Sequence, residues 1–201
     1  MDFQDKKNLF KVRETILEMI NDRGYIIPES EKVTLEQFII KYDNKNLDIY
    51  IDDVLNNQKI YVHFHNELKS FSKSDLKNIM TKIISIYNDP DINIILLLRD
   101  KENSAVSKEL MKEMYNKVEV FLKKRMAFNI TKHQFVPKHS ILNEEEEKEL
   151  LEKYNTTKGK LPKISKNDPI AKYYGMKTDQ VCKIIRWSPE VGETNYYRLV
   201  R

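Results

Sequence analysis

The chain has 201 residues, of which 40% are hydrophobic and 33% charged, with a formal net charge of +4. This length accommodates a sizeable core and suits two small domains, and the apolar share excludes a disordered chain. No apolar run approaches the roughly 18 residues of a membrane span, the charged first turns exclude a signal peptide, and a single cysteine, Cys182, excludes an intrachain disulfide or thiolate metal cluster. A reducing, aqueous intracellular compartment is expected.

Leu9, Val12, Ile16 and Ile20 sit at helical spacing within residues 5–20, and Gly24 follows where a left-handed stop belongs. Thr34 with Gln37 reads as a capping box opening a short helix. The runs LDIYI (47–51) and KIYVHFH (59–65) alternate as strands, and Leu76, Ile79, Met80, Ile83 and Tyr87 return to helical spacing. INIILLL (92–98) is apolar without alternation, as in a central strand covered on both faces. Leu110, Met114, Val118 and Phe121 predict a helix from about Ser107 to Lys124, and MAFNI (126–130) a further strand. This order predicts an α/β layer.

Pro137, in an aperiodic stretch, marks a boundary at about 135, and a small α+β unit is expected over 136–201. Residues 131–201 hold 14 Lys and Arg against 10 Asp and Glu, so this part carries the net positive charge and suits an anionic partner. Asn143 ahead of four glutamates is a capped, dipole-matched helix start rather than an acidic contact site. Asp168, Pro169 and Gly175 bracket a helix of about two turns, which must pack on the strand that follows. In that strand Val181, Lys183, Ile185 and Trp187 alternate with Cys182, Ile184 and Arg186; SPEVGET turns the chain and NYYRLV returns. Two strands make a marginal core, and the terminal strand offers an edge that another chain can extend.

Signals for catalysis are weak. His63 and His65 share a strand face expected to be solvated, with no third metal ligand in view, and Cys182 with His133 and His139 has no geometry of a thiol nucleophile. Asp91, Asp100, Lys101 and Glu102 flank the central strand as in metal-dependent nucleases, but adjacent Asp100 and Lys101 point to opposite faces of a strand. No glycine-rich phosphate loop or nucleophile elbow is present. A binding or assembly protein without catalytic residue, metal or cofactor is expected, with a nuclease of restriction-endonuclease-like fold as the alternative.

The segments HQFVPKHSILNEEEEKELLEKY, LPKISKNDPIAKYYG, VCKIIR and YYRLV occur in the order and spacing of one family. RETILEMINDRGY and FNITKH agree as well. The chain resembles the common subunit 5 of eukaryotic RNA polymerases I, II and III, whose archaeal relative corresponds to the second unit alone. The resemblance implies a non-catalytic subunit of a DNA-directed RNA polymerase. Residues 1–135 correspond to a nuclease-like α/β jaw beside downstream DNA, and 136–201 to an assembly domain docking on the largest subunit. Other polymerase subunits, downstream double-stranded DNA and transcription factors are the implied partners, with no membrane. The nucleus is the implied location for a cellular protein. The AT-rich residue bias fits a large DNA virus, which implies a virion or cytoplasmic factory instead. Two departures stand out: Gly192, Glu193 and Thr194 replace the usual Gly-Arg-Tyr, and Glu102, Asn103, Ser104 and Ala105 replace a Thr-Pro-Ser-Ala turn. Lys101, Asn103 and Ser104 are expected nearest DNA, and Tyr173, Tyr174, Arg186, Tyr197 and Arg198 at the subunit interface.

Overall fold

The computed structural model describes residues 3–44, 47–65, 70–87, 89 and 92–201. Its contacts divide into two compact units, one ending at Phe128 and one starting at Asn129, ahead of the boundary near 135 read from the sequence. No helix among the described residues is long and apolar enough to cross a membrane.

In the first unit, α1 (Phe3–Asp22) buries Leu9, Val12, Ile16, Met19 and Ile20, one stripe at helical spacing. It ends where Gly24 takes φ 95°, with the Tyr25 N–H bonded to the Ile20 carbonyl. The capping box of α2 (Leu35–Asp43) forms as the sequence indicates: the Thr34 hydroxyl accepts from the Gln37 N–H, and the Gln37 side chain accepts from the Thr34 N–H. Strands β1 (Ile49–Asp53) and β2 (Gln58–Phe64) form an antiparallel hairpin. Helix α3 (Lys73–Tyr87) carries the chain to β3 (Asn93–Leu98), parallel to β2, and α4 (Ser104–Leu110) leads to β4 (Val118–Leu122), parallel to β3. The sheet order is β1-β2-β3-β4, so the apolar run of β3 is internal.

Register divides the side chains into two faces. Ile49, Ile51, Ile60, Val62, Phe64, Ile95, Leu97 and Phe121 share the α1 side, where Arg23 makes two 2.8 Å bonds to Glu119 and lies over the Phe121 ring. Tyr61, Ile94, Leu96, Leu98, Val118, Val120 and Leu122 share the other and pack with Leu76 and Ile83 of α3 and Val106 of α4.

Three expectations for the first unit need correction. The helix from Ser107 to Lys124 stops at Leu110, and residues 118–122 form β4; residues 123–125 are a 3-10 turn, and no strand covers 126–130. Leu110, Met114 and Val118 are four apart, an even spacing that fits a strand's period of two as well as a helix, and in VEVFL the β-branched alternation wins. The His63 and His65 face is covered rather than solvated: His65 is buried edge-on against Phe71, and the half-buried His63 meets Asp48 at 3.0 Å. A strand pairing on both edges with helices on both faces leaves no open side.

The second unit is a sheet of order β5-β7-β8-β6. Its long hairpin joins β7 (Val181–Ser188) and β8 (Gly192–Val200); β5 (Lys138–Ile141) adds antiparallel to β7, and β6 (Lys163–Ile164) adds parallel to β8. The core is therefore larger than two strands allow, because His139 and Ile164, in stretches without alternation, complete both sides. Helix α5 (Glu144–Lys153), started by a formed Asn143–Glu146 capping box, brings Leu150 onto Val181 and Leu199. Helix α6 (Pro169–Tyr173) covers the opposite face, where Ala171 and Met176 pack with Cys182, Ile184 and Val200. The edge expected open on the last strand is partly closed: β6 pairs with Leu199 and Val200 and leaves the outer edge from Gly192 to Arg198 without a strand among the described residues.

Candidate functional site

The loop after β3 begins with Arg99, whose Nε donates to Asp100 at 2.9 Å, and continues through exposed Lys101, Asn103 and Ser104. Asn103 caps α4: its Oδ1 accepts from the Val106 N–H at 2.9 Å, and its Nδ2 donates to the Phe71 carbonyl at 3.3 Å. Helix α4 has only 7 residues and Asn103 already takes one of its free N–H groups, so the helix start offers little to a phosphate. Charge comes from elsewhere. Register pairs Leu98 with Leu122, which sets the loop beside the turn after β4, where Lys123, Lys124 and Arg125 follow one another. Lys124 and Arg125 are exposed, while Lys123 donates to the His65 carbonyl at 2.6 Å. Burial, with Arg99 nearby, pushes the Lys123 amine down to about 8. Lys124 and Arg125 escaped the sequence reading because they fell at the end of a supposed helix; a Lys-Lys-Arg run directly after a parallel strand is the signal that locates them, since ligands of α/β sheets gather at carboxyl ends of strands.

The nuclease constellation does not assemble around Asp100, which is exposed and turned to Arg99. Asp91 lies outside the described residues, and among those described no group of three or more His, Cys, Asp or Glu is placed to hold a metal ion.

In the second unit the five expected interface residues occupy different settings. Tyr173 is buried, with its hydroxyl accepting from the Asn129 amide at 3.0 Å and its ring edge-on to Tyr174, so it acts as a support beneath the surface. Tyr174 packs on the α6 core. Tyr197 lies on the α5 face against Leu150 and Leu199. Arg186 and Arg198 lie on the opposite face, in register with Thr194 and Cys182, and the Arg186 guanidinium stacks over Tyr196 at 5.1 Å. His139 shares this face; burial, and to a lesser degree the two arginines, pushes its pKa down. Burial also pushes the Cys182 thiol up to about 11, the reverse of what a nucleophile needs.

The hairpin beyond the two cores displays residues that the sequence reading passed over: Trp187 is 72% exposed, Val191 74% and Tyr196 47%. Trp187 continues the alternation of Val181, Lys183 and Ile185 past the core of the sheet, and a large aromatic at the end of that face is the signal for it.

Comparison with known proteins places both units. The model of "RNA polymerase Rpb5, N-terminal domain" matches residues 4–83, and that of "RNA polymerase Rpb5, C-terminal domain" matches residues 128–200. The chain is 33% identical to the Dictyostelium discoideum protein named DNA-directed RNA polymerases I, II, and III subunit rpabc1, over 98% of each chain. It is 31% identical to the Caenorhabditis elegans RPABC1 subunit, over 96% of this chain and 95% of that one. Against the Arabidopsis thaliana DNA-directed RNA polymerase subunit 5-like protein 1 it is also 31% identical, over 94% and 92%. The nuclease alternative finds no support among these relatives. With both family models matched in order along one chain and relatives aligned from end to end, this protein belongs to the family of RNA polymerase subunit 5.

Proposed function

We propose that the chain is a non-catalytic shared subunit of a multisubunit DNA-directed RNA polymerase. In this reading the unit from Asn129 docks on the largest subunit, and the unit ending at Phe128 forms a jaw beside downstream DNA. The observation that carries the docking half is the β7–β8 hairpin: exposed Trp187 and Val191, the Arg186–Tyr196 stack and the β8 edge from Gly192 to Arg198, which pairs with no strand among the described residues. Aromatic and arginine anchors beside a free strand edge are what a partner strand needs for main-chain pairing and side-chain specificity. Co-purification of the largest subunit with tagged full-length chain is the test. Trp187→Ala together with Arg186→Ala should reduce recovery of the largest subunit while leaving the melting of the free chain unchanged. Undiminished recovery from this well-folded double variant overturns the docking assignment.

The DNA half rests on Lys101, Asn103 and Ser104, now joined by Arg99, Lys124 and Arg125 at the same edge of the sheet. Acidic Asp100 and Glu102 lie within the loop, so the contact is a backbone contact without sequence preference. Because Asn103 is occupied in capping, exposed Ser104 is the better position for a photoreactive side chain. In the assembled elongating enzyme, a crosslink from position 104 to downstream DNA is expected; crosslinks to protein alone overturn the assignment. Each of Lys101→Glu and Lys124→Glu should lower the salt-dependence slope of downstream DNA binding by about 1.

A further inference from the structure

Among the described residues Arg13, Arg23, Arg99 and Arg201 each meet a carboxylate, whereas Arg186 and Arg198 meet none. Register sets these two on one face of the second sheet, Arg186 opposite Thr194 and Arg198 opposite Cys182, with the Ile184–Tyr196 pair between them. The stack of the Arg186 guanidinium over Tyr196 orders its plane and leaves the N–H groups at its rim for another partner. Arg198 is half-buried, where a charge gains more from an opposite charge than it does at the open surface.

His139 stands on the same face, on β5 opposite Ile184, and is only 8% exposed. Its Nδ1 meets the Pro137 carbonyl at 2.7 Å; a carbonyl can only accept, so Nδ1 carries the proton and the neutral ring leaves Nε2 bare. Nε2 has no hydrogen-bond partner among the described residues, yet it is not sealed in, since the enclosed side-chain atom without a partner there is Arg13 Nε. Burial lowers the His139 pKa most and the two arginines add to it, against the Pro137 bond and Asp168. Asp168 is the one carboxylate acting on His139, and its Oδ1 is already taken by the Ile170 N–H at 2.9 Å. Neighbouring Cys182 is held as a neutral thiol. Two arginines against one carboxylate leave this face positive.

We propose that Arg186, Arg198 and His139 form a site for a dianionic phosphate group, either free or carried by a phosphorylated side chain. Guanidinium forks match its oxygens. An anion held by both arginines cancels the charge that helps keep His139 neutral, so the ring takes a proton from solvent at Nε2 and becomes a third donor. Affinity therefore rises as pH falls through the range where His139 titrates. A phosphodiester, with a single charge, draws less from this arrangement. Arg186 also serves in the docking reading, but anion binding is measured on the free chain, so its failure is distinct from undiminished recovery of the largest subunit.

Sulfate is the first probe, because it stays dianionic where histidine titrates. With the full chain at constant ionic strength set by chloride, sulfate should bind about tenfold more tightly at about pH 5.5 than at about pH 7.5. Arg186→Gln and Arg198→Gln should each weaken binding about tenfold or more with unchanged thermal melting, and His139→Gln should flatten the pH dependence. Should His139→Gln melt early, the arginine variants decide: the rise in the His139 titration midpoint that sulfate causes, read by NMR, should be lost in both. Inorganic phosphate and a short phosphoserine peptide separate the two sources. Tighter binding of the peptide assigns the site to a phosphorylated partner and equal binding to the free ion, and either supports it. No binding, an affinity flat in pH, indifference to Arg198→Gln, or dimethyl phosphate binding as tightly as sulfate overturns the proposal.

Discussion

Asp48 shows how much one side chain can be asked to hold. One carboxylate oxygen accepts from the Tyr61 hydroxyl at 2.7 Å and meets His63 Nδ1 at 3.0 Å, while the other accepts from the Phe64 N–H at 2.9 Å. Burial alone raises a carboxyl pKa, but here the His63 bond and charge, the Tyr61 hydroxyl and the Phe64 N–H outweigh it and hold Asp48 below its usual range. A depressed carboxyl stabilises the fold above its unfolded pKa of about 3.9, and that contribution drains away as pH falls toward the folded value. Urea midpoints measured from about pH 6 down to about pH 3 should therefore fall less steeply in Asp48→Asn than in the parent chain, from a lower starting point. Parallel curves refute the assignment. Gly175 is the second demanding position, with φ 61° in a Schellman cap where the Met176 N–H reaches the Ala171 carbonyl and the Gly175 N–H that of Lys172. Gly175→Val should cost roughly 1 kcal/mol or more, because a branched side chain crowds a left-handed backbone. Pro169→Ala should cost only a few tenths, since the first helical position loses just its pre-set φ. Thermal melts of both variants check the contrast.

At the scale of elements, Arg13 is the tie that α1 extends to its surroundings. Its buried guanidinium donates to the Leu47 carbonyl ahead of β1, to the Glu31 carbonyl and to the Glu31 carboxylate. Arg13→Ala leaves a largely buried Glu31 facing Lys41 at 4.0 Å and should cost about 3 kcal/mol, whereas Arg13→Met, which refills the volume, should cost less; denaturant titration separates them. The sequence announces neither partner, because Glu31 and Leu47 are 18 and 34 residues away and no local period links them. Local signals decide the structure where chemistry acts within one turn: the Thr34 and Asn143 caps, the Gly24 and Gly175 stops and the alternation of β2 and β7 are all recognisable in the residues. Reading failed where the deciding interaction is distant. VEVFL becomes a strand because β3 offers it a parallel edge and Arg23 a partner for Glu119, and KI at 163–164 becomes one only because β8 lies alongside. The same blindness hid the basic edge, since Lys124 and Arg125 gain a place beside Lys101 only once β4 is in the sheet.

The whole molecule divides into two units, and this has a consequence for where the chain can be cut. The second family model begins at residue 128, and the structure gives a reason for a start there rather than at the Pro137 boundary that composition suggests. Asn129 is buried; its Oδ1 accepts from the Thr131 N–H at 2.9 Å and the Thr131 hydroxyl at 2.7 Å, and its Nδ2 donates to the Tyr173 hydroxyl at 3.0 Å. A fragment beginning at Lys132 lacks this residue and loses its bond to the buried Tyr173 hydroxyl, at a cost of about 1–3 kcal/mol, a large share of what a unit this small has to spare. A fragment of residues 129–201 should therefore melt cooperatively and at a higher temperature than one of residues 132–201, by several degrees for each kcal/mol. Asn129→Ala within the longer fragment should bring its melting close to that of the shorter one, which separates loss of this side chain from mere shortening. Equal melting of the two fragments would mean that Asn129 contributes nothing to the second core, and the boundary would move back toward Pro137.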